Sequence, residues 1–125
     1  MRAVLYSARL AGGFAGQVLA ADDTHFMIDT TGDLARLCAS APEHPNHSRA
    51  VQMCQGYLLG IHHFHTALAA EVETAIYCVE QVEPRPSRDQ VMAAFAAWAL
   101  ETPGVAEKEA LDGVLEWAAL TYPCE

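Results

Sequence analysis

Few residues in this chain carry reactive chemistry, and the first group is four cysteines, Cys38, Cys54, Cys78 and Cys124. They form no C-x-x-C and match no zinc-ligand spacing. An even count in a small exported domain reads instead as two disulfides. With every thiol oxidised, no cysteine nucleophile remains. The second group is the run His62-His63-Phe64-His65. His62 and His65 stand three apart and share a helical face, as a metal-ligating pair would. Neither has an acid or cysteine at i+4, so the favoured reading is a solvated polar face flanking a buried Phe64, with no metal. G-x-S-x-G, H-E-x-x-H and C-x-x-C-H are all absent, which removes the signals for a serine hydrolase, a zinc protease and a c-type haem. No catalytic residue and no cofactor is assigned.

The acidic side chains are dispersed. Glu80 and Glu83 follow Cys78, and Glu107, Glu109, Asp112 and Glu116 lie near the C-terminus. Seven Lys and Arg against sixteen Asp and Glu give a net charge of −9. Such a chain repels phosphate backbones and anionic membrane surfaces, so neither nucleic acid nor membrane is an expected partner. A basic protein partner is favoured.

These residues need positioning elements, and the chain divides at about residue 20. Residues 1–20 have a basic start at Arg2, an apolar middle and the small-residue ending Val18-Leu19-Ala20. That layout is expected of a secretory signal cut after Ala20. Removing it takes away Arg2 and Arg9 and leaves five basic residues against sixteen acidic. Residues 21–125 then form one domain.

Apolar residues there recur near a period of 3.6, and no period-two pattern competes. Phe26, Met27 and Ile28 suggest a short N-terminal helical turn. A first helix starts with Thr31 as N-cap and Asp33 in its first turn, and buries Leu34, Leu37 and Cys38. The segment Pro42–His47, with Glu43 and His44, is a polar loop. The second and longest helix starts at Ser48. Gly56 and Gly60 lie on one of its faces beside Tyr57, and the two glycines predict close approach of another helix backbone. The link through Glu80, Glu83, Pro84 and Pro86 is an exposed loop. Ser87 and Gln90 have capping-box spacing for a third helix. A fourth helix opens near Val105 and ends at Pro123, with Glu107 and Glu109 in its early turns. Trp98 and Trp117 fall on core faces.

The predicted fold is therefore all-α, a small antiparallel four-helix bundle preceded by a short turn. In such a bundle the end of the first helix meets the start of the second, which pairs Cys38 with Cys54. The end of the second helix meets the end of the fourth, which pairs Cys78 with Cys124.

Several segments carry a family resemblance. Thr31-Gly32-Asp33-Leu34 followed by Leu37-Cys38 resembles the opening of the Rap/Tai family of type VI secretion immunity proteins. Cys54-Gln55-Gly56-Tyr57-Leu58-Leu59-Gly60-Ile61 resembles its central segment, and Tyr122-Pro123-Cys124 its terminal aromatic-Pro-Cys. The chain departs from the family at His63, where Asp is frequent, and in the longer link after Cys78. The resemblance implies a non-catalytic, disulfide-containing periplasmic helical protein, often a homodimer, that binds and blocks a peptidoglycan amidase effector. It supplies no matched contact residues. The candidates for partner contact come from exposure alone: Glu80 and Glu83 in the link, and Glu43, His44 and His47 in the polar loop. Two other readings stand beside it, a periplasmic binding or chaperone-like module without a toxin partner, and a metal-responsive protein using His62 and His65.

Overall fold

The computed structural model describes residues 21–125; the expected secretory signal, residues 1–20, lies outside them. A 3-10 helix, Asp23–Met27, is followed by four α-helices: α1 (Thr31–Cys38), α2 (His47–Val72), α3 (Arg88–Glu101) and α4 (Ala110–Thr121). A second 3-10 turn, Val79–Gln81, lies in the link between α2 and α3. The described residues contain no strand, only an isolated bridge between Thr30 and Glu109. The all-helical architecture matches the expectation from periodicity.

The shortest helix is the hub. α1 packs against α2, α3, α4 and the N-terminal 3-10 helix. Six of its eight residues are buried: Thr31, Gly32, Leu34, Ala35, Leu37 and Cys38. Its two charged residues, Asp33 and Arg36, are the ones left partly exposed. Around it, Phe95 on α3 meets Trp117 on α4 edge-on at 5.5 Å, and Trp117 meets Tyr122 in the same way at 5.5 Å. Trp117 is thus a core residue, as its face suggested, and Trp98 is half-buried against the same cluster.

The N-terminus of α1 solves the usual problem of unpartnered N–H groups in an unusual way. Thr30 is its N-cap, not Thr31, and forms a capping box with Asp33. The Thr31 and Gly32 N–H groups donate to the carbonyls of Lys108 and Ala106, at 2.7 and 2.9 Å. The Thr31 hydroxyl donates to the Glu109 carbonyl at 3.0 Å. These bonds correct the expected start of α4. The segment from Val105 to Glu109 is not helical, because its carbonyls serve the end of α1, and α4 begins only at Ala110. The start of α2 also shifts, with Asn46 rather than Ser48 at the N-cap and no side-chain cap. Ser87 and Gln90 do form the expected capping box at α3.

Both disulfides join the expected partners. Cys38–Cys54 ties α1 to α2 inside the core, and Cys78–Cys124 ties the link to the C-terminus.

The glycine expectation is overturned within this chain. Nothing lies within 4 Å of a Cβ built on Gly56 or Gly60, and both residues are exposed. The reason is rotational: α2 buries the side bearing Ala50, Cys54 and His65, and Gly56 and Gly60 fall on another face. Tyr57, between those faces, packs partly against the core. The close approaches occur instead at Gly32 and Gly113.

Candidate functional site

The two groups of candidate contact residues lie far apart. The polar loop closes the start of α2. There the His47 ring Nδ1 is 3.1 Å from the Ser40 carbonyl, and His44 Nδ1 accepts from Asn46 N–H at 3.1 Å. These rings hold the loop in shape, while Glu43 is exposed. Glu80 contacts His62, fifteen residues along α2 from His47. At 1.5 Å of rise per residue that is roughly 22 Å.

The link after α2 is the more built of the two surfaces. Cys78 is held by its disulfide and by N–H donation to the Tyr122 carbonyl at 2.7 Å. Gln81 accepts from the Glu125 N–H at 3.1 Å. On the other side, His62 Nε2 lies 3.2 Å from Glu80 Oε1, and its Nδ1 lies 3.2 Å from the Tyr77 hydroxyl. A neutral ring protonated on Nε2 satisfies both contacts, accepting from Tyr77 and donating to Glu80. Burial, with the Glu80 carboxylate adding to it, pushes the Tyr77 phenol up to about 12, so it stays protonated. Glu80 is thereby oriented yet still 45% exposed, and Glu83 is exposed two residues after Gln81. A carboxylate held in place in this way loses little freedom when a partner binds it.

The expected burial is reversed here: Phe64 is 70% exposed, whereas His65 is turned inward. It is buried, stacks on Tyr77 at 4.1 Å, and its Nε2 accepts the Ile76 N–H at 3.0 Å. It secures the turn that follows α2. Desolvation by burial, helped by the nearby His62 and opposed by Glu80, lowers its pKa. Both ring nitrogens of His62 and Nε2 of His65 are thus already engaged in contacts. Among the described residues no group of three His, Cys, Asp or Glu is placed to hold a metal ion.

The sequence reading missed the cavity beside this link. It has a volume of about 190 Å³ and lies between α2, α3 and α4. Leu58 and Leu59 of α2, Val91 and Met92 of α3, and Val114 and Trp117 of α4 form its walls; His62, Arg85 and Arg88 also line it. Its signal in the sequence was slight: two arginines, Arg85 and Arg88, flanking Pro86 in an acidic chain.

An all-helical domain pinned by two disulfides is the fold that the resemblance to the immunity family implies. The comparison with family models agrees: residues 30–124 match the model described as Rap1a immunity proteins, and the chain belongs to that family. Compared with curated proteins and with solved structures, it matches none. Membership in an immunity family implies a protein partner, the effector. No helix among the described residues is long and apolar enough to cross a membrane.

Proposed function

We propose that this protein is a non-catalytic periplasmic immunity protein of a type VI secretion system, which binds a peptidoglycan amidase effector and occludes its cleft. The observation that carries the reading is the family match over residues 30–124. Two disulfides suit an oxidising compartment such as the periplasm. They also support the expectation that residues 1–20 are an export signal. The contact surface is assigned to the link, where Glu80 is oriented by His62 and Glu83 is exposed. The excess of acidic residues would steer encounter with a basic cleft rim. Glu43, His44 and His47, at and before the start of α2, lie too far away to share one small cleft with Glu80, and serve as the comparison surface.

The test is titration of the purified protein against an amidase encoded beside its gene, with peptidoglycan cleavage as the readout. Stoichiometric loss of cleavage is expected, weakened by Glu80→Ala with Glu83→Ala and little changed by Glu43→Ala. Undiminished cleavage at molar excess sinks the reading. Weakening confined to the Glu43 variant moves the contact to the other end of α2.

A further inference from the structure

The cavity between α2, α3 and α4 has walls and a mouth of opposite character. Its walls are aliphatic and aromatic, with the buried Trp117 among them. Arg85 and Arg88 line it where the link enters α3. The described residues hold five Lys and Arg in a strongly acidic protein, so finding two of them on one cavity is a concentration of positive charge. Neither forms an ion pair with any described carboxylate. The acids nearby are otherwise engaged: Glu80 with His62, and Asp89 as acceptor for the Gln55 amide in the first turn of α3. Glu83 is exposed on the link.

We propose that this cavity binds a small apolar monoanion, a carboxylate on a short aliphatic chain, with the chain against Trp117 and Met92 and the carboxylate between Arg85 and Arg88. Guanidinium groups match carboxylates in a planar, bidentate geometry, and an uncompensated pair on an apolar slot selects an anion over a neutral molecule of the same shape. Size restricts the chain. A closed apolar cavity of about 150 Å³ holds a benzene molecule. At about 190 Å³ and open at one side, this one takes a chain of roughly eight carbons. The site adjoins the effector contact proposed above, with His62 common to both, but the inference does not rest on that contact.

Octanoate and octanol are the matched probes, followed by amide chemical shifts of the purified protein. Octanoate is expected to produce saturable shifts at Leu59, Met92 and Val114, and to bind several-fold more tightly than octanol. The exposed double variant Arg85→Ala with Arg88→Ala is expected to weaken octanoate at least tenfold while leaving octanol within twofold. The proposal is overturned if octanoate does not bind, if its shifts lie elsewhere, or if the double variant binds it as well as the parent does. Octanol binding as tightly as octanoate would assign the cavity to a neutral apolar group and overturn it as well. Shifts at the same residues on raising protein concentration alone would assign it to a second copy of the chain, with the same consequence.

Discussion

Thr31 occupies the space that a side chain at Gly113 would need. A Cβ built on Gly113 would lie 2.6 Å from Thr31 Cγ2 and 2.8 Å from its Cβ, with the hydroxyl oxygen nearer still. The same hydroxyl donates to the Glu109 carbonyl, so Thr31 cannot rotate away without giving up that bond. The α1–α4 packing thus depends on a missing methyl group on one helix and a β-branched residue on the other.

Gly113→Ala should therefore destabilise the fold, although alanine is the better helix former. Overpacking typically costs about 1–3 kcal/mol, against a helix-propensity gain of about 1 kcal/mol. With three Thr31 atoms this close the cost lies near the upper end, so denaturant unfolding should show a net loss of about 2 kcal/mol. Pairing the change with Thr31→Ala should recover part of it, a coupling that a double-mutant cycle measures. A neutral or stabilising Gly113→Ala would show that the two helices separate easily.

This contact also marks where the sequence was legible and where it was not. Ser87 and Gln90 form a capping box three residues apart, and such a local device can be read directly. The two cysteine pairs followed from the order of helix ends. The start of α4 was misplaced because Glu107 and Glu109 suit a helix N-terminus, whereas the carbonyls of Ala106 and Lys108 are taken by α1, more than seventy residues earlier. Gly56 and Gly60 were given the role that Gly32 and Gly113 hold, since spacing along one helix does not say which face is covered. The cavity was hidden for a similar reason: its walls come from three helices and the arginines beside it from a link.

The two disulfides should differ in reactivity. Cys38 and Cys54 are buried, whereas Cys124 is exposed at the chain end. Thiol exchange requires access to sulfur. Graded reduction followed by alkylation and mass spectrometry should label Cys78 and Cys124 before Cys38 and Cys54. Replacing Cys78 and Cys124 together by serine should cost about 2–4 kcal/mol, since that bridge closes a long loop.

Acid should loosen the turn after α2. The pKa of His65 is lowered by burial and by the neighbouring His62, with Glu80 partly opposing them. The unfolded chain therefore takes up the proton first as pH falls. The stability contribution is complete above the unfolded value of about 6.5 and is lost progressively as pH falls from there through the lower folded value. Protonation also removes the acceptor for the Ile76 N–H. Unfolding free energies measured from pH 7.5 to pH 5 should decline in the parent protein. His65→Phe keeps a ring against Tyr77 but cannot titrate, so its decline should be shallower, from a lower starting stability. An equal slope in the variant would assign the acid sensitivity to other groups.

The uncovered side of α2 is expected to pair with a second copy of the chain as part of the proposed immunity complex. Met53, Phe64, Leu68 and Val72 are 41%, 70%, 46% and 57% exposed. At 3.6 residues per turn, Met53, Gly56, Gly60 and Phe64 fall on one side of the helix, with Leu68 beside them. The glycines have nothing against them, so another helix can approach closely there. A contiguous apolar strip of this kind marks an interaction surface, and a twofold pairing of α2 with itself covers the strip on both copies. Light scattering at micromolar concentration should then give a dimer for the parent protein. Phe64→Asp, at an exposed site where folding is not at stake, should give a monomer with unchanged helix content. A parent protein that is monomeric at those concentrations would leave the strip to the effector, and Phe64→Asp should then weaken effector inhibition instead.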